Sequence, residues 1–293
     1  MSEIRESFAP RRDARARSHP RTVIAMWGWQ TTLALGASWP TASLVRAFYG
    51  ASPRGDGELW EPGGHALLDL LRHGARALAP AAGAAEFVLI VGAVAGLLPM
   101  AASMFAMAHG RAARFVRSTS RALQALPTLL LLLVIVGAAQ AASLGVAFLV
   151  FKGIDMWFET SLGDAYAQRL GVASAMIFVL AASGLGVVHD LARAVVVQTR
   201  ARARALRALA GGARAFASAP LSLWWSWAWR ALAALAPVAA IAAVATRIGG
   251  RGGALLVLLA ALHQGVVLSR VALRLSWLAR ALRAVDEERV QGL

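Results

Sequence analysis

Three ionisable residues, His189, Asp190 and Arg193, interrupt an otherwise apolar run, VVHDLARAVVVQ at 187–198. A carboxylate can pair with an arginine, and with a histidine it can bind a metal or pass a proton. Cations in excess can hold a phosphate or another anion. A second apolar run, HQGVVLSRVALRLSW at 263–277, carries His263, Arg270 and Arg274. On a helix, His263, Arg270, Arg274 and Trp277 share one stripe, and Gly186, Asp190, Arg193 and Val197 share another. Two readings follow. Asp190 pairs with Arg193 or Arg270 and staples two helices together. Alternatively, the surplus cations beside one carboxylate hold an anionic lipid headgroup or substrate, with His189, Asp190, Arg193, His263, Arg270 and Arg274 as its binding set.

Catalysis has little to work with. The chain contains no His-Glu-x-x-His pair, no aspartate-rich diphosphate motif and no Gly-x-Ser-x-Gly turn. It also has no cysteine, which excludes disulfides and thiolate chemistry. We expect a non-catalytic protein with no cofactor and no metal.

The elements that must position these residues follow from composition. Of 293 residues, 58% are hydrophobic and 15% charged. Mean hydropathy is +0.60. Soluble domains carry about 25% charged residues, so this is a membrane composition. A crossing helix needs about 20 apolar residues, and six stretches suffice: about 23–46, 83–107, 125–151, 170–197, 223–246 and 254–278. The first is too long for a secretory signal, and Trp39-Pro40 stands where a cleavage site should be, so it reads as a retained span.

The net charge of +15 is almost wholly arginine, with Lys152 the only lysine. In a soluble protein this would point to nucleic acid. Here it is sorted by loop. The N-terminal tail, the loops after the second and fourth spans, and the C-terminal end are arginine-rich, whereas 47–82 and 152–169 mix both signs. The positive-inside rule then places both termini in the cytoplasm. Arg200, Arg202, Arg204 and Arg207 form a comb suited to lipid headgroups.

The expected fold is an all-α membrane protein with six transmembrane helices in three consecutive hairpins, N-in/C-in. A short interfacial helix over 65–78 lies in the first external loop. Residues 1–22 form a basic disordered tail, 23–285 the transmembrane domain and 286–293 a second tail. Segment 152–169 reads as a short external loop. Gly92/Gly96 and Gly137/Ala141/Gly145 are small-residue ladders that let backbones approach in lipid. Pro99 with Gly96 offers a kink in the second span. A related hexapeptide recurs, RALQAL at 121–126, RALRAL at 204–209 and RALRAV at 280–285. Either a triplicated hairpin or the Ala/Leu/Arg composition alone would generate it.

The stretch VVHDLARAVVVQTRARARALRALAGGARAF at 187–216, with HQGVVLSRVALRLSWLARAL at 263–282, is similar to uncharacterised six-span bacterial membrane proteins. That resemblance implies a bacterial inner-membrane location and supplies no activity. Segment 199–222 also bears comparison with the coupling loop of ABC importer permeases, but it lacks the glutamate and the glycine-to-proline spacing. The expected function is contact with anionic lipid at the cytoplasmic leaflet, or with a membrane-complex partner or a second copy. A permease subunit or small transporter is the alternative, and an intramembrane enzyme the next.

Overall fold

A computed structural model describes residues 20–51, 75–109, 115–162, 164–199, 203–248 and 254–291. All regular structure among them is helical. Seven helices follow in order: α1 (Pro20–Tyr49), α2 (Ala75–His109), α3 (Phe115–Leu162), α4 (Asp164–Gln198), α5 (Ala205–Ser218), α6 (Pro220–Ile248) and α7 (Ala254–Gln291). Five are long and apolar enough to cross a membrane, through Leu78–Ala108, Val116–Ile154, Arg169–Gln198, Pro220–Val244 and Val257–Glu288. The chain is therefore a multi-pass membrane protein by length and composition. Helix α1 has the length, at 30 residues. Its apolar average is lowered by Gln30, Thr31 and Thr32 and by three tryptophans.

Several expectations change. Within segment 152–169, residues 152–162 and 164–169 are helix rather than loop: α3 runs on to Leu162 and α4 begins at Asp164. No proline interrupts VFKGIDMWFETSL, so nothing breaks the helical hydrogen bonding there. Segment 199–222, also read as a loop, contains the separate helix α5. The interfacial helix expected over 65–78 lies mainly outside the described residues, and 75–78 already belong to α2. Residues 286–291, taken as tail, are the last turns of α7. Most of the 1–22 tail is outside the described residues.

The helices group into two compact units. One comprises Ala16–Ser103 and Trp229–Ser276, as far as these are described; the other contains Met104–Ala228 and Trp277–Leu293.

In the first unit, α1 lies against α2. Gly36 faces Val88, Leu33 faces Gly92, and Trp29 faces Gly96. One number falls as the other rises, so the two helices are antiparallel. The Gly92/Gly96 ladder is thus used within the chain: any Cβ at Gly92 would collide with the Leu33 side chain. Helix α2 continues through Pro99. The buried Ser103 hydroxyl donates to the Pro99 carbonyl at 2.7 Å. Thr31 donates to Gln264 at 3.1 Å, joining α1 to α7.

In the second unit, α3 and α4 are antiparallel neighbours. Phe151 packs on Gly171. Ser143 donates to the Phe178 carbonyl at 3.0 Å, and the Gln140 amide to that of Ala182 at 3.0 Å. In lipid the apolar effect does not drive helices together, so close packing and such bonds must do so. Helix α5 folds back on α4 with a face of small residues, Ala205, Ala208, Gly211, Gly212 and Ala215. The contact is backbone to backbone. A Cβ on Gly212 would sit 2.6 Å from the Ala192 nitrogen and 2.9 Å from the Val188 carbonyl oxygen.

The recurrent hexapeptide acquires a physical meaning in this unit. Its two alanines are buried each time: Ala122 and Ala125, Ala205 and Ala208, Ala281 and Ala284. Its arginines stay at least partly exposed. The word is small inside and cationic outside. It lies near the start of α3 and at the start of α5, but in the last turns of α7, so the shared feature is a face rather than a place in a hairpin.

Candidate functional site

Asp190 is the centre of a buried polar cluster. Its Oδ1 accepts from Arg193 Nη1 at 3.1 Å, one turn along α4. Its Oδ2 accepts from Trp277 Nε1 at 2.8 Å, across from α7. All three side chains are nearly inaccessible, with Asp190 at 2%, Arg193 at 7% and Trp277 at 1% relative exposure. Moving such ions out of water costs several kcal/mol each, which only close pairing and satisfied lone pairs offset. Here the carboxylate is satisfied on both oxygens. Further along, the Gln198 amide donates to the Leu282 carbonyl at 2.8 Å. Residue numbers rise together on both helices (190 with 277, 198 with 282), so α4 and α7 are parallel in this unit.

The cluster is thus a staple between α4 and α7, with Trp277 as the partner on α7. The sequence held the signal: Trp277 lies on the stripe with Arg270 and Arg274, and an indole N–H can only donate. Its value as a donor to Asp190 escapes a search confined to ionisable groups. His189 is buried beside the cluster at 6% exposure. His263, Arg270 and Arg274 lie on the stretch of α7 that belongs to the other unit. There His263 and Arg270 are exposed and Arg274 is half-buried. The His263 Nδ1 lies 2.9 Å from the Leu259 carbonyl oxygen of its own helix. Among the described residues, no group of three or more metal-capable side chains converges.

The second feature is cationic. Antiparallel α3 and α4, and parallel α4 and α7, bring the start of α3, the ends of α4 and α7, and the start of α5 to one end of this unit. Arg117, Arg204, Arg207 and Arg214 are exposed there. Arg280 is drawn towards Glu287 at 3.9 Å. Arg200 and Arg202 of the comb lie outside the described residues. Arg204 and Arg207 flank the first turn of α5 and line an open groove of about 580 Å³ with Pro127, Thr128 and Leu131 of α3 and Ala205 and Leu206 of α5. Among the described residues, no carboxylate lines it.

No protein-family model, no curated protein and no solved structure matches this chain. The functional reading therefore stands on the site itself.

Proposed function

We propose that the protein is a six-span, non-catalytic protein of the bacterial inner membrane, with both termini cytoplasmic, acting through contact with anionic lipid at the cytoplasmic leaflet. One observation carries the reading: the packing of α3, α4, α5 and α7 gathers the exposed Arg117, Arg204, Arg207 and Arg214 at a single end, where Glu287 is the one exposed carboxylate among the described residues. A leaflet of anionic lipid attracts such residues at about 1 kcal/mol each near its surface. The buried pair Asp190–Arg193 serves this arrangement structurally, holding α4 and α7 in register just inside that end. The sixth crossing is α1, whose antiparallel seat on Val88–Gly96 puts it alongside the apolar centre of α2.

The test is native mass spectrometry of the protein extracted gently from its own membrane. Anionic lipid retained above its bulk proportion supports the reading, and lipid retained in bulk proportion refutes it. A stoichiometric ATPase would replace it with a permease subunit.

A further inference from the structure

Resting on that reading and narrowing it, we infer that the groove between α3 and the start of α5 is a seat for a single phosphate-bearing amphiphile, of which an anionic glycerophospholipid is the membrane's abundant example. Arg204 and Arg207 hold the phosphate and the apolar wall takes the start of an acyl chain. Arg204 is the extended residue that precedes α5 and Arg207 lies in the first turn of that helix, and both line the groove. Among the described residues neither guanidinium has a carboxylate within ion-pair distance, so their charge is available to a ligand. Planar guanidinium forks match phosphate oxygens, and a pair of them favours an anion over any neutral headgroup.

The rest of the groove argues for more than a free anion. Leu131 and Leu206 are 50% and 70% exposed, and Pro127 lies beside them. A small inorganic ion would leave this apolar wall uncovered. Polar and apolar parts meet within one turn of α5, through Leu206 and Arg207. That is the arrangement of a headgroup boundary.

The experiment uses the full chain in a neutral detergent and measures binding of dihexanoyl phosphatidylglycerol, dihexanoyl phosphatidylcholine and glycerol phosphate. The groove predicts phosphatidylglycerol well ahead of both others. Arg204→Ala with Arg207→Ala should weaken it by about tenfold per arginine. Leu131→Ala should weaken phosphatidylglycerol and leave glycerol phosphate unchanged. A control pair, Lys152→Ala with Arg169→Ala, removes the same charge from exposed positions at the other end of α3 and α4 and should change little. All these side chains are exposed, so folding is expected to survive; a melting curve for each variant checks it.

Equal losses from the groove pair and the control pair would overturn the site while leaving diffuse lipid attraction intact. Glycerol phosphate binding as tightly as the lipid would overturn the amphiphile in favour of a free phosphate ester. No preference for phosphatidylglycerol over phosphatidylcholine in the unaltered protein would overturn both the site and the reading it rests on.

Discussion

Removing Asp190 should be far more damaging than removing the whole polar cluster. Asp190→Leu takes the carboxylate from Arg193, which is 7% exposed, and the acceptor from the Trp277 indole, which is 1% exposed. Breaking one partner of a buried ion pair costs about 3–5 kcal/mol. A stranded indole N–H adds about 1–3 kcal/mol. Asp190→Leu with Arg193→Leu removes both charges, and similar-sized apolar replacements of a buried pair are often neutral or stabilising. What remains is the indole, about 1–3 kcal/mol. Adding Trp277→Phe removes that donor as well, so the triple variant should recover part of the loss, less the cost of a smaller ring. The expected order of stability is wild type, then triple, then double, with Asp190→Leu last. Reversible unfolding by SDS in mixed micelles, followed by tryptophan fluorescence and circular dichroism, measures it. A double variant as unstable as Asp190→Leu would refute the staple. So would an Asp190→Leu variant of unaltered stability, which would return the carboxylate to a functional role.

Three further outcomes follow from the packing. Gly212→Ala should cost about 1–3 kcal/mol, because its Cβ meets backbone at 2.6 Å and the helices must part. Gly211→Ala meets only the Val195 side chain, at 3.2 Å, and should be mild; Gly184→Ala meets nothing and should gain up to about 1 kcal/mol of helix propensity. Thermal melts of the three variants check that order. The absence of native cysteine makes single-cysteine labelling clean: with six crossings, Ser18→Cys and Gln291→Cys both escape an impermeant maleimide in intact cells, while Ser52→Cys is labelled. Labelling of Ser18→Cys would reduce the crossings to five. Glu287→Gln should change stability by less than about 0.5 kcal/mol, since its 3.9 Å pairing with Arg280 is half in solvent; a larger change in SDS-unfolding stability would make that pair part of the fold.

Much of the architecture was legible because apolar length is a blunt signal. Each expected span lies within one described helix, and the two ladders were visible as glycine spacing. Helix α5 was not legible as a helix, because RALRALAGGARAF is interrupted by the adjacent Gly211 and Gly212 and neither an apolar run of crossing length nor a capping residue announces it. What makes it fold is tertiary: its Ala and Gly face fits against α4 closely enough for backbone contact. Ladder geometry likewise could not say which ladder is used internally. Gly92 and Gly96 are filled by Leu33 and Trp29, whereas Gly137 and Gly145 meet nothing within 4 Å.

In the proposed six-span arrangement, the polar residues of α1 illustrate why hydropathy and packing can disagree over a crossing. A mean over a window charges Gln30, Thr31 and Thr32 as if each faced lipid. Thr31 instead donates to Gln264 of α7, and Trp29 and Leu33 on the neighbouring turns press against the glycines of α2. Polar groups satisfied by another helix are tolerated at membrane depth, and small residues opposite them allow the approach that makes the bond. The cost assigned by composition is therefore offset by contacts that composition cannot see. The same logic explains Asp190, a carboxylate in a span that is tolerated because an arginine and an indole meet it. In both cases the residues that lower apolar character hold the helices together, and the arginines left exposed by that packing are the ones available to a ligand.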